Sequence, residues 1–222
     1  MARESLQQSL DGLRDDVLGM GETVVARHRD AVSALDQQDP GLARYVVDND
    51  DEINAEYLGL EADCIDLFAL EQPVAGDLRF VAASFKILTD LERIADLATN
   101  LGRYVLETET DLVPRADLVE IGEFVGEMLD DALTAYARKD PALCRELAER
   151  DDEADTRCEH ATDHLMRELL ARDPSAPELE DLLADANRHL LTIRDLERVG
   201  DHAVNVAART YYMTESDDAL LY

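Results

Sequence analysis

The chain has 222 residues, 46% of them apolar, with only six Pro and ten Gly, so it can bury a substantial core and favours long helices over a turn-rich sheet. Fifty-one acids against 21 bases give a formal net charge of −30, which disfavours non-specific nucleic-acid binding, since phosphate contact needs a basic face. Self-repulsion of that size is most simply tolerated at molar salt, where the Debye length is about 3 Å; this is the surface of a halophile's cytosolic protein or, as the alternative, of a chain that binds cations or a basic partner.

Met1 to Asp15 is polar and charged and shows no signal-peptide pattern. No apolar run approaches the ~20 residues of a membrane span. A first helix ends near Asp39-Pro40, which reads as an N-cap and first-turn proline opening a second helix. The second helix carries Asp50-Asp-Glu-Ile-Asn54, and Gln72-Pro73 closes it. In the third, Ile87, Leu91, Ile94, Ala98, Leu101 and Val105 follow the 4-3-4-3-4 spacing of a helix-bundle seam. Thr110 to Pro114 reads as a linker.

The same blocks then return in order. Ala31 to Pro40 recurs as Ala132 to Pro141, and Asp50 to Asn54 as Asp151 to Asp155, both at an offset of 101. Asp90-Leu-Glu-Arg-Ile-Ala-Asp96 recurs as Asp195-Leu-Glu-Arg-Val-Gly-Asp201 at an offset of 105. The reading is therefore all-α: two tandem three-helix bundles related by a pseudo-twofold repeat, residues 1–110 and 111–222. The second seam runs through Leu196, Val199, Ala203 and Val206, with Thr192 and Thr210 at its ends. The change of offset predicts about four extra residues in the connection Asp173 to Pro177, since connections tolerate insertions. Cys64, Cys144 and Cys158 are spaced without a CxxC pair, as expected of reduced thiols in the cytoplasm.

On a helical wheel Glu92, Asp96 and Asn100 fall about 100° to 180° from Leu91, on a strip away from the seam. Their i, i+4, i+8 spacing stacks side-chain oxygens along one line, and Glu197, Asp201 and Asn205 repeat it. Asp50 and Asn54, and Asp151 and Asp155, supply an i, i+4 pair on the second helix of each copy. Like charges at i, i+4 repel by a few tenths of a kcal/mol, so the repeated arrangement calls for a cation. Hard oxygen ligands suit Mg, Ca or Mn, and bridging carboxylates also hold iron. A solvated acidic face is the competing reading, weakened by the repetition.

Asp90 and Asp195, on the flank of the seam, read as hydrogen-bonded structural residues in preference to ligands. Arg93 and Arg198 read as neutralisers of neighbouring carboxylates. His202 is placed to assist the second strip. His160 and His164, at i, i+4, have the spacing of a zinc pair but no counterpart in copy one, which favours surface histidines. No nucleotide-binding glycine loop, no G-x-S-x-G and no Glu-x-x-His pair of di-iron bundles is present, so nothing in the sequence points to catalysis.

The two Asp-Leu-Glu-Arg-x-x-Asp blocks, with Gln72-Pro-Val-Ala-Gly-Asp-Leu-Arg79 upstream of the first, resemble the PhoU family of phosphate-uptake regulators over residues 5 to 213. The resemblance implies two three-helix bundles bearing metal clusters: Asp50, Asn54, Glu92 and Asp96 on one, Asp151, Asp155, Glu197 and Asp201 on the other, with Asn100 and Asn205 as weaker ligands. The metals implied are divalent or trivalent, Fe, Mn, Mg or Zn. It further implies a cytoplasmic, non-enzymatic homodimer that represses phosphate uptake by docking on the phosphate transporter's ATPase subunit or a signalling protein. Two departures are visible. Ala95 stands where the family usually has Gly, and the region Pro174 to Asp181 lacks the wording of Gln72 to Arg79. A metal-dependent phosphohydrolase and a purely structural helical adaptor are the rival readings.

Overall fold

In a computed structural model that describes residues 2–70, 73–108, 115–172 and 176–221, the fold is helical, with no strand among the described residues. The helices are α1 (Ala2–Gln37), α2 (Pro40–Asp48), α3 (Asp50–Leu70), α4 (Gly76–Leu106), α5 (Ala116–Arg138), α6 (Pro141–Ala171) and α7 (Ala176–Glu215). Both expected caps form. Asp39 Oδ1 accepts from the amides of Gly41 and Leu42, and Asp140 Oδ1 from those of Ala142 and Leu143, at 2.8 to 3.2 Å. Each cap satisfies two amides that the first helical turn leaves unpaired. The linker at Thr110 to Pro114, and Gln72, lie outside the described residues.

The second helix of copy one departs from expectation by breaking into two, α2 and α3, at Asn49. There the backbone leaves helical geometry (φ −107°, ψ 17°), and the Asn49 side-chain amide donates to the Tyr45 carbonyl at 2.7 Å. A side chain that takes the carbonyl four residues back competes with the helical ladder. Its counterpart, Arg150, makes no such bond, and α6 runs unbroken.

The extra residues of copy two also fall elsewhere than expected. At the offset of 105, Gly76 corresponds to Asp181, yet α7 already begins at Ala176. Of the predicted stretch, residues 173–175 lie outside the described residues, but the net gain lengthens the helix, not the connection. The early turns of α7 bury Leu182 and Ala186 against Leu165 of α6 in a small apolar cluster of their own.

Four helices form a closed ring in the order α1, α4, α7, α5, with α2 and α3 flanking α1 and α4, and α6 flanking α5 and α7. Both seams face inward. Ile87, Leu91, Ile94, Ala98 and Leu101 are fully buried, as are Leu196, Val199, Ala203 and Val206. One apolar core runs through both copies, each buried Leu, Ile or Val contributing about 1.5–3 kcal/mol. Close approach is set by small residues. A methyl on Gly122 of α5 would come within 2.7 Å of Val32 on α1, and one on Gly102 of α4 within 3.1 Å of the Ala43 carbonyl on α2. This packing leaves α3 against α4, and α6 against α7, which is where the acidic strips lie.

Candidate metal centres

In copy one, the break at Asn49 places Asp50 in the first turn of α3, where unpaired amides and the helix dipole favour a carboxylate. Asp50 is held there from two sides: Thr99 of α4 donates to its Oδ1 at 2.9 Å and Asn54 to its Oδ2 at 3.1 Å. Glu92 and Asp96 on α4 face the same region. Burial raises the Glu92 carboxyl above its ordinary range, and Asp96 and Asp50 push it further. Asp96 is raised by burial and then by Asp50. The three carboxylates thus feel one another across the α3–α4 contact. Arg93 neutralises part of that charge, as expected, at 3.6 Å from Glu92 and 3.5 Å from Asp96.

Copy two is more acidic and less compensated. Asp151 is raised by burial, then by Asp201 and Asp155; Glu197 by burial, then by Asp155, Asp201 and Asp151; Asp201 by burial, then by Asp155. These four residues make no ion pair among the described residues. An open cavity of about 540 Å³ beside them is lined by Asp155, Cys158, Glu159, His160 and Glu197. The Cys158 thiol is pushed up to about 12, first by burial and then by Glu197 and Asp155.

One candidate is engaged elsewhere. Asn100 donates to Asp195 at 3.3 Å and accepts from Arg103 at 3.0 Å, engaging both its polar ends away from Asp96. Asn205 is exposed on α7, as are Glu197 and Asp201 on the turns before it. Among the described residues no three His, Cys, Asp or Glu side chains stand gathered as a ready metal site. The donors are of the right kind for a hard cation, and their mutual repulsion is what a cation would relieve, but they are spread along two helices and must swing together to enclose one.

Asp90 and Asp195 form a separate, buried structure. Asp90, 6% exposed, accepts from His202 Nδ1 at 2.9 Å and Arg209 Nε at 3.1 Å. Asp195, fully buried, accepts from Tyr104 at 2.9 Å, from Asn100, and from Arg194 at 2.8 and 3.0 Å. The Tyr104 hydroxyl is pushed up to about 12 by burial and by Asp195, so it remains a donor. The structural reading of these two aspartates holds: they clasp α4 to α7 reciprocally across the pseudo-twofold. His202 serves this clasp and lies between the strips, favouring the charged forms of both Glu92 and Asp201; Arg198 does the same for Asp96 and Asp201.

Of the remaining histidines, His164 Nδ1 lies 2.6 Å from Asp117 on α5 and its Nε2 3.9 Å from Glu168. His28 is buried with Nε2 donating to the Gly122 carbonyl at 2.8 Å. Sequence reasoning missed Thr99 and Glu159. Their counterparts, Val204 and Leu58, share none of their chemistry, so the repeat gave no signal.

The family model described as the PhoU domain matches the chain twice, over residues 17–105 and 118–210. The chain is 33% identical over 218 residues to the phosphate-specific transport system accessory protein PhoU homolog of Pseudomonas aeruginosa, with 97% of this chain and 87% of that one covered. It is 33% identical over 210 residues to PhoU homolog 1 of Methanothermobacter thermautotrophicus, covering 93% of each. The crystal structure of PhoU from Pseudomonas aeruginosa superposes with a TM-score of 0.88 at 31% identity, over 95% of this chain and 99% of that one.

Proposed function

The chain belongs to the PhoU family, and on that premise we propose that it is an accessory regulator of a phosphate transport system, acting in a halophile's cytoplasm to repress uptake when phosphate is plentiful. It does so as a non-enzymatic homodimer that docks on the transporter's ATPase subunit or a phosphate-signalling protein. The description carried by its full-length relatives supports this role. No helix among the described residues is long and apolar enough to cross a membrane, in keeping with a docking role.

The single observation that supports a metal-dependent mechanism is the set of carboxylates whose charged forms are destabilised by one another in each copy. Asp50, Glu92 and Asp96 would hold metal in copy one, and Asp151, Asp155, Glu197 and Asp201 in copy two; bound metal would supply positive charge that ties α3 to α4 and α6 to α7. Asn54 and Thr99 orient Asp50 toward α4, and Arg93 limits the charge of the first strip. Arg198 and His202 each bear on both strips, so a change of charge at one is felt at the other. Ligand binding to the folded state alone adds stability, and in this mechanism it also fixes the outer helices for docking.

Metal content of the purified protein, with and without Glu92→Ala plus Glu197→Ala, tests the site. The double variant is expected to lose bound Fe, Mn, Mg or Zn; unchanged stoichiometry would remove the assignment. Co-purification from cells grown in rich and in poor phosphate tests the role, with retention of the transporter's ATPase subunit or a signalling protein in rich medium as the expected result.

A further inference from the structure

Helices α5 and α6 meet at an open cavity of about 270 Å³, lined by Asp117 and Glu120 of α5 and by Arg157, His160 and His164 of α6. The i, i+4 histidine pair therefore faces two acids of a neighbouring helix, which its spacing in sequence could not show. Asp117 Oδ2 stands 2.6 Å from His164 Nδ1. A carboxylate can only accept, so Nδ1 carries the proton, and in the neutral ring Nε2 keeps its lone pair. That nitrogen makes no hydrogen bond among the described residues, since Glu168 at 3.9 Å is too far for one. His160, a turn earlier on the same face, is exposed. Arg157, the cation at the cavity, is turned to Glu153 at 2.6 Å and lies over the Phe124 ring at 4.3 Å.

A carboxylate that holds one imidazole nitrogen, leaving the other for a metal, is the outer-shell arrangement of histidine–zinc sites. Two histidines at i, i+4 on one helix face can share an ion. Imidazole suits Zn, Cu, Ni or Fe in preference to Mg or Ca, which sets this place apart from the oxygen donors of the two strips. The matched place in copy one is also a cavity, of about 300 Å³ between α1 and α3. There, however, Asp16, Gly19, Gly59 and Asp63 stand at the equivalent positions. The fold supplies the notch twice, and only copy two furnishes it with nitrogen donors.

We propose that His160 and His164 bind a zinc ion at the α5–α6 cavity, with Glu120 swinging across from α5 as a third ligand, Asp117 orienting His164 from behind, and water completing the coordination. Among the described residues no three donors stand gathered, so Glu120, which is exposed, has to move to close the site. Zinc here ties α5 to α6, whereas metal on the second strip ties α6 to α7. Ala161 follows His160 where a hydrolytic helix of this spacing carries Glu. The site thus holds an ion but lacks the neighbouring base that would activate its water. It does not depend on the carboxylate strips holding metal.

Isothermal titration calorimetry of the full chain with zinc, after stripping with chelator, tests it. Glu92→Ala plus Glu197→Ala serves as the background, so that the strips contribute least. Zinc is expected to bind in that background and to resist displacement by excess magnesium. His160→Gln plus His164→Gln, both at exposed sites and checked by an unchanged melting curve, is expected to weaken it at least tenfold. Asp117→Ala, which leaves both histidines in place, is expected to cost about tenfold as the loss of an outer-shell partner. In nuclear magnetic resonance spectra zinc is expected to shift the ring signals of His160 and His164 and to leave those of His28 in place. No zinc uptake in the background chain, uptake indifferent to the loss of both histidines, or displacement by magnesium would overturn the site. Such a failure leaves the strips as they stand, because neither histidine belongs to them.

Discussion

Asp195→Ala separates the buried clasp from the metal strips. Asp195 is fully buried and accepts four hydrogen bonds, two from Arg194, one from Tyr104 and one from Asn100. Arg194 is more than half exposed and regains water when its partner is lost, so its share is small. Tyr104 and Asn100 are partly buried and face α7; each loses a bond to a charged acceptor, worth about 1.5–3 kcal/mol. Relief from burying the carboxylate offsets part of this, and the net loss is about 3 kcal/mol. For a chain of this length that lowers the melting temperature by about 6–12 °C. Urea unfolding and thermal melts, followed by circular dichroism, measure it. Asp195→Asn keeps the shape and one acceptor and is expected to lose less. Metal stoichiometry is expected to stay that of the parent chain. A loss under about 1 kcal/mol for Asp195→Ala, by comparison with the measured parent stability, or a fall in bound metal, would refute the assignment of this aspartate to the interhelical clasp.

Asp201→Asn is expected to act in opposite directions with and without metal. In chelator it removes repulsion with Asp155 and its neighbours and stabilises the chain by about 0.5 kcal/mol after solvent screening, a gain that shrinks as salt rises; with metal added it is expected to give up part of the metal-induced rise in melting temperature, and a loss of stability in chelator at low salt would contradict the repulsion argument. His28 gives the pH dependence. Burial lowers its pKa below the ordinary histidine value, so the unfolded chain binds the extra proton first, and stability present above about pH 6.5 is lost as the pH falls through that value. His189 is lowered by burial as well and adds to the same slope. His28→Gln is expected to flatten the difference in unfolding free energy between pH 7.5 and pH 5.5, and an undiminished slope in that variant would place the pH sensitivity elsewhere.

The repeat itself determined much of this protein. Two copies of one pattern, with matched seams at Leu91 and Leu196 and matched caps at Asp39 and Asp140, are local signals that periodicity and hydrogen-bonding chemistry impose wherever the chain goes. They gave the helices, their buried faces and the placing of the acidic strips. Tertiary structure alone decided what has no local pattern. Thr99 reaches Asp50 across 49 residues of sequence, and His202 reaches Asp90 across 112. Both pairs are missing from the other copy, where Val204 and Leu97 stand, so a symmetry argument passes over them. The break at Asn49 turned on one side-chain amide competing for one carbonyl, and the extra residues of copy two went into α7 because apolar residues there found cover against α6.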